Sequence, residues 1–432
     1  MSLANICDVD KQYFDGGIAK AHHLLSGRLL KLSVAIVVGI GTLSAVITLM
    51  VGTTAAQSSS VKLRKRDNER YVIDGAYIKH ALSNPSIGKR RSSKGGKMSS
   101  GRPLAIIREF PRNHSLNANG LGAIVVNFNS PLAKKTKHPV ISPKVQGRWQ
   151  KTNTSFIFRP KVPILPNTLE VVKVPAGIAT KRGAKLSDSA SFEFATRSGS
   201  ILRADEILAE LNYLPFDFTP SQAAARRSHI SLTAAAKYLW DAPTGTFKWD
   251  FTPPASLAAD WTPGVQNTMF QGALVAFEAD HNLPMSTTIS TQDWETLLRA
   301  SMDPAAYRNP HGYNYALAQE GSPETLTIYN NGKVVLDTPA NTGIAVSPTT
   351  LGTFYVYEKL PYQVMKGINP DGVPYADPVQ YVSYFYGSEA VHYFYRAEYG
   401  FPQSLGCIEL PFSAAATAYS YLPYGTLVTV IP

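Results

Sequence analysis

The sequence predicts a multidomain chain: an N-terminal membrane helix, a β-sandwich, a small α-helical domain and a C-terminal, mostly-β domain. Three observations carry this. An uncharged, mostly apolar run of 20 residues, Leu32 to Val51, stands near the N-terminus. The hydrophobic pattern is strand-like over 103–199, shifts to helical spacing over 200–303, and returns to strand spacing from Thr325 onward. At 432 residues there is chain enough for roughly two to four cores.

Residues 1–31 are expected on the cytoplasmic side and 32–56 as a single-pass transmembrane anchor, since about 20 helical residues cross a bilayer. Gly39 and Gly41 are tolerated in such helices. A signal peptide is the competing reading, with Ala55-Ala56-Gln57 resembling a cleavage site; cleavage would make the protein secreted. Lys20, Arg28 and Lys31 precede the run, and Lys62, Arg64, Lys65 and Arg66 follow it, so flanking charge does not orient it. Residues 57–102 are rich in Ser, Lys, Arg and Gly, and Arg90 to Lys97 lacks the apolar surface to fold, which predicts a basic disordered linker. The formal net charge is +11, and much of the excess lies between Lys62 and Arg112. No nucleic-acid motif accompanies it, so an anionic membrane or wall polymer is the expected neighbour.

Over 103–199, Ala123 to Phe128, Ser155 to Phe158, Leu169 to Val174 and Ser191 to Thr196 alternate between turns such as Asn129-Ser130-Pro131. Short alternating strands with Pro, Gly and Asn turns predict an antiparallel sandwich, with Trp149 in its core. Over 200–303, Ile201 to Leu214, Val265 to His281 and Thr291 to Leu298 have helical spacing, the last with Ser290 or Thr291 as its cap. Glu278 and His281 share a helix face but have no third ligand at a fitting spacing, which favours a solvated helix surface over a metal site. Pro304 to Ser322 reads as a linker. Residues 323–432 read as strands, with Asn330-Asn331-Gly332 as a hairpin turn and a short helix over Ser413 to Tyr421. The Pro- and Gly-rich stretch 358–380 reads as a long irregular loop, a lid.

The chemistry concentrates in Val391 to Pro411. His392 precedes Cys407 by 15 residues, too far for one helical turn, so the pair must meet by folding. The chain has two cysteines, Cys7 and Cys407. With the apolar run between them, Cys407 is the only thiol expected outside the cell, and an unpaired exported thiol needs a reason. A thiolate made by a nearby imidazole supplies one. A buried structural cysteine is the alternative, and Ser404, Gly406 and His392 around it argue for chemistry. The order His before Cys is opposite to that of papain-like peptidases.

Residues 323–432 resemble the catalytic domain of the L,D-transpeptidases of bacterial cell-wall synthesis, the YkuD-like fold. The resemblance rests on His392 followed by Ser404-Leu405-Gly406-Cys407-Ile408, on Asn341-Thr342-Gly343, and on Ser347-Pro348-Thr349-Thr350-Leu351-Gly352-Thr353-Phe354. Leu405 stands where the family often has histidine, and Glu409 where it often has arginine or asparagine. Residues 103–199 resemble bacterial immunoglobulin-like modules, ending in a Phe-x-Phe-x-Thr strand, and are expected to act as a spacer. Residues 200–303 resemble the small peptidoglycan-binding helical module.

The resemblance implies a cysteine-dependent acyltransferase that forms 3→3 crosslinks between peptidoglycan stem peptides, with a tetrapeptide donor, a diamino-acid acceptor and release of D-Ala. Cys407 would be the nucleophile and His392 the base, held by the backbone carbonyl of Tyr393. Gly406 and Cys407 N–H groups would stabilise the oxyanion, and Ser404 would orient His392 or the turn. Tyr375, Arg396, Tyr399, Leu405 and Glu409 are the expected substrate contacts, a surface ion pair being the alternative for Arg396 and Glu409. Carbapenem inhibition is implied through Cys407. The expected location is the outer side of the cell membrane. No cofactor or metal signature and no nucleic-acid partner is expected. An L,D-carboxypeptidase and a noncatalytic wall-binding protein stay open.

Overall fold

The structure, a computed structural model, describes residues 33–39, 42–48, 61–63, 103–221 and 231–432. In the N-terminal unit the described backbone is a three-stranded antiparallel sheet of β1 (Ser33–Gly39), β2 (Thr42–Thr48) and β3 (Val61–Leu63). Strands therefore stand where the sequence predicts a membrane helix. Among the described residues no helix is long and apolar enough to cross a membrane. Most of the linker expected over 57–102, and Cys7, lie outside the described residues.

Residues 103–199 form two four-stranded sheets. One has β4 (Ile106–Phe110), β6 (Ile124–Phe128), β9 (Ser155–Pro160) and β8 (Gly147–Lys151) in that order. The other has β5 (Ser115–Ala118), β11 (Ala190–Thr196), β10 (Leu169–Val174) and β7 (Val140–Ser142). Alternation sends Ile124, Val126, Phe128, Phe156 and Phe158 from the first sheet, and Ile141, Val172, Val174, Phe192 and Phe194 from the second, into one buried core. Trp149 lies against Phe156 and Phe158 at 6.4 and 5.2 Å.

The helical region holds α1 (Ile201–Glu210), α2 (Leu232–Tyr238), α3 (Ala255–Ala259), α4 (Thr268–Asp280) and α5 (Thr291–Ala300), with the hairpin β12 (Phe216–Pro220) and β13 (Gly245–Trp249). Asn267 caps α4, and Ser290 caps α5 with a capping box closed by Asp293. Glu278 is fully buried, not on the solvated surface that the sequence suggests, and it accepts a hydrogen bond from Ser286 N–H.

The catalytic-domain candidate has two sheets. One runs β16 (Lys333–Pro339), β15 (Thr325–Asn330), β14 (Asn314–Gln319), β22 (Leu427–Ile431), β17 (Gly352–Tyr355). The other runs β18 (Glu358–Ile368), β19 (Pro374–Tyr386), β20 (Glu389–Tyr393), β21 (Ile408–Leu410). With α6 (Phe412–Tyr421) they close on one core. β14 lies inside the linker expected over 304–322, so the domain begins ahead of residue 323. The strand is buried on both faces. Ala316 and Ala318 point into the catalytic core, while Tyr315 and Leu317 point into the core shared with the helices. A strand covered on both sides loses the polar alternation that marks a half-buried one.

The stretch 358–380 is likewise not an irregular loop: β18 and β19 form a long antiparallel hairpin, with Val364 opposite Pro378 and Ile368 opposite Pro374. Those prolines lie beyond Gln380, where β19 first meets β20, so no second neighbour needs their missing N–H.

Helices and catalytic sheet are joined by close backbone approach at Gly272 and Gly425. A methyl group on Gly425, which has φ +80°, would overlap Gly272 O and sit 2.6 Å from Ala276 N. Gly425→Ala should therefore destabilise the protein by on the order of 2 kcal/mol, read as a lowered urea midpoint; an unchanged midpoint would show that this contact yields freely.

Candidate functional site

β20 and β21 run parallel, with Val391 opposite Ile408 and His392 opposite Glu409. Cys407, one step ahead of Ile408, therefore falls beside Ala390 and shares the face of His392. The register thus sets on one face the two residues that 15 positions of sequence separate. His392 is buried. Its Nδ1 lies 3.0 Å from Tyr393 O, and because a carbonyl only accepts, Nδ1 carries the proton. Nε2 keeps a lone pair, which is what a base toward a thiol needs.

Cys407 is partly exposed. Its Sγ donates to Ser388 O at 3.8 Å. Burial pushes the Cys407 thiol up to about 12; a hydrogen bond from the Ala390 backbone opposes this, and the Glu409 and Glu389 charges add to it. Burial also lowers the His392 pKa below its ordinary value, against the hydrogen bond to Tyr393 and the nearby Glu409. Both shifts favour the same resting state, a neutral thiol beside a neutral imidazole.

The Ser404 to Cys407 turn is built from inside. Ser404 is buried; its Oγ donates to Cys407 O at 2.6 Å and accepts from Gly406 N–H at 3.1 Å. Ser404 thus orients the turn rather than His392. Gly406 has φ +109°, a conformation that favours glycine. Its N–H, expected as an oxyanion donor, is instead spent on Ser404 Oγ because the turn aims it inward. Leu405 is half-buried on this turn.

Beneath the turn lies the Asn341-Thr342-Gly343 stretch. Asn341 bridges to Glu409 and Gly343 to Ser404. Thr342 Oγ1 donates to Glu324 Oε1 at 2.9 Å, its N–H to Oε2 at 2.6 Å, and Gly343 N–H to Thr349 Oγ1 at 2.9 Å. A methyl group on Gly343 would meet Thr349 N at 2.5 Å.

Three expected substrate contacts are engaged within the chain. Arg396 donates from Nε and Nη2 to Glu409 at 2.7 and 2.9 Å, and from Nη2 to Gln403 O at 3.1 Å. With side chains 29% and 6% exposed, this is a partly buried bidentate pair, not a surface one. Tyr399 OH donates to Phe394 O at 2.6 Å and accepts from Arg396 N–H at 3.3 Å, so it holds the loop. Tyr375 lies on β19 opposite Gly367, near enough to Cys407 that the sulfur's charge adds to the burial that raises the tyrosine pKa.

The structure adds residues that the sequence alone does not single out. Tyr384 packs in the cluster that touches Cys407, with its OH donating to Gln363 Oε1 at 2.7 Å. Glu389 accepts from Thr350 Oγ1 and N–H at 2.7 and 3.0 Å and lies against Gly406. Among the described residues, no group of three His, Cys, Asp or Glu could hold a metal ion.

A family model for the L,D-transpeptidase catalytic domain (YkuD) matches residues 315–430. Among curated proteins none matches. Among solved structures, the catalytic domain of an E. faecium L,D-transpeptidase is 31% identical, covering 27% of this chain and 96% of that one, with a TM-score of 0.26. An L,D-transpeptidase from Mycobacterium smegmatis is 14% identical, covering 76% of this chain and all of the other, with a TM-score of 0.26.

Two outcomes follow from the geometry. Alkylation of Cys407 by iodoacetamide should be slow at neutral pH and still rising above pH ~10, where an ordinary thiol of pKa ~8.5 has levelled off; a plateau below that pH would contradict the neutral resting thiol. Arg396→Gln should cost about 3 kcal/mol of stability in urea, because it leaves Glu409 buried and unpaired.

Proposed function

This chain belongs to the L,D-transpeptidase family through its C-terminal domain, and we propose that it crosslinks peptidoglycan by acyl transfer through Cys407. What supports the mechanism is the His392 tautomer, with Nδ1–H held by Tyr393 O, and the β20–β21 register, which sets His392 and Cys407 on one face. As the Cys407 Sγ–H proton passes to His392 Nε2, sulfur attacks the carbonyl carbon of the L,D-peptide bond between the third stem residue and terminal D-Ala. The C–N bond breaks, His392 returns the proton to the departing D-Ala amine, and an acyl-thioester remains. A neutral side-chain amine of a neighbouring stem attacks the thioester, His392 accepts its proton, the C–S bond breaks, and the thiol is regenerated. The product is a 3→3 crosslink. Water in place of the amine gives the tripeptide, the carboxypeptidase outcome.

The neutral resting pair supports a proton transfer coupled to attack rather than a preformed thiolate. The Cys407 backbone N–H is the candidate oxyanion donor, a contribution on the order of 3 kcal/mol; Gly406 N–H would first have to leave Ser404 Oγ. The β18–β19 hairpin, with Tyr375, Tyr384 and Met365 on or near the side that meets Cys407, is the proposed wall of the donor site. Carbapenems would acylate the same sulfur by opening of the lactam amide. Since the substrate lies in the wall, we place the catalytic domain on the outer side of the cell membrane.

Intact mass spectrometry after incubation with a disaccharide-tetrapeptide, and separately with a carbapenem, tests this. Loss of D-Ala with a crosslinked dimer and a covalent carbapenem adduct are expected, both abolished in Cys407→Ala. Tripeptide alone would make the protein a carboxypeptidase, and no adduct with no turnover from folded protein would make it a wall binder. His392→Ala should lower kcat by about a thousandfold, with a smaller effect on KM.

A further inference from the structure

Charge is segregated along this chain. Residues 103–199 hold fifteen Lys and Arg against four Asp and Glu, a formal +11. Residues 200–432 hold eleven against twenty-one, a formal −10. The sandwich is thus a strongly basic body joined to an acidic one. Among the described residues, Arg197 alone of the fifteen forms an ion pair, with Asp241 at 3.1 Å.

The fold concentrates the charge further. Segments 131–138 and 176–186 lie side by side. Leu132 bridges to Thr180. Ala133 N–H donates to Ala179 O at 2.8 Å, and Lys181 N–H to Pro131 O at 2.9 Å. Ala179 N–H donates to Thr136 Oγ1 at 2.8 Å. This pairing gathers Lys134, Lys135, Lys137, Lys181, Arg182 and Lys185, all exposed, from stretches some forty residues apart. Lys137 Nζ reaches Ala176 O at 3.2 Å, a contact that leaves its charge uncompensated. Leu132, Ile178 and Leu186 are buried beneath and anchor both segments. Holding six like charges on anchored, hydrogen-bonded segments costs stability that a bound anion would return.

The chemistry of the cluster narrows the anion. Five of the six cations are lysines, compact point charges without the planar fork that reads a base edge or a single carboxylate. The two segments expose no Phe, Tyr or Trp on which a nucleobase would stack, and their large apolar side chains are buried, so nothing there enters a lipid interface. We infer that this cluster docks an anionic linear polymer of the cell wall, a polyphosphodiester. The sandwich then holds the enzyme on the wall, while the acidic half, repelled by the same polymer, is left free to carry the catalytic domain. The choice of the wall as the source of the polymer rests on the transpeptidase reading above.

The test uses the full chain and fluorescently labelled synthetic poly(glycerol phosphate), with binding followed by anisotropy. Binding should weaken steeply between about 50 and about 200 mM salt. Replacing all six cluster residues by Gln should weaken it about tenfold or more. Replacing six linker cations (Lys62→Gln, Arg64→Gln, Lys65→Gln, Arg66→Gln, Arg90→Gln, Arg91→Gln) should weaken it less than about threefold. Equal losses, or a larger loss in the linker variant, would overturn the docking surface. Tighter, cluster-dependent binding of duplex DNA would reassign it to nucleic acid, and of phosphatidylglycerol vesicles to a bilayer. Should the six-fold variant fail to fold, the variant carrying Lys181→Gln, Arg182→Gln and Lys185→Gln decides, with about half the loss on a logarithmic scale expected. Turnover of a soluble tetrapeptide, measured on the same samples, should be equal in parent and cluster variant. Its absence from the parent would remove the transpeptidase reading and leave the polymer-binding result standing.

Discussion

The parallel pairing of β20 with β21 is the constraint on which the rest of the site depends. Parallel neighbours cannot be joined by a tight turn, so the chain must leave Tyr393, travel outward and return before Ile408. The return is where Ser404, Gly406 and Cys407 sit. Every conspicuous contact around it holds that excursion in place. Arg396 and Tyr399 fold the outgoing loop, Glu409 anchors Arg396 from β21, and Asn341 and Gly343 bridge to the returning strand. A shift of one residue in the β20–β21 register would turn Cys407 to the face opposite His392.

The same packing sets the electrostatics. Burial raises the Cys407 pKa and lowers that of His392, and the Glu409 and Glu389 charges further disfavour a thiolate. Arg396 neutralises one of these carboxylates and Thr350 hydrogen-bonds the other. The glutamates are thus ties within the chain that also disfavour a thiolate at Cys407. Two of the residues that resemble substrate contacts in the sequence, Arg396 and Glu409, serve this arrangement by binding each other.

The helical region and the catalytic sheet form a shared core rather than two modules in series. β14 and β22 give alternate side chains to each side, so the wall between them is a sheet buried on both faces.

Much of the local structure was legible in the sequence. Ser290, one of the two expected caps, marks the start of α5, and Asn330-Asn331-Gly332 marks the turn between β15 and β16, because capping and turn geometry are each decided within a few residues. What the sequence left open depends on what covers a segment. Asn314–Gln319 reads as a linker since burial on both faces erases its alternation. The prolines of 358–380 suggest a loop, yet they fall where β19 lacks a second neighbour. Gly406 N–H looks free until Ser404 Oγ is placed beneath it, and Glu389 has no sequence neighbour to mark it as the partner of Thr350. The sequence by itself marked His392, Cys407 and the Ser404 to Cys407 turn as the candidate site, because residue type and short spacing are enough for that. Only the tertiary structure decided which donors remain open, which charges are paired and which cations are brought together, because each is set by a partner distant in the chain.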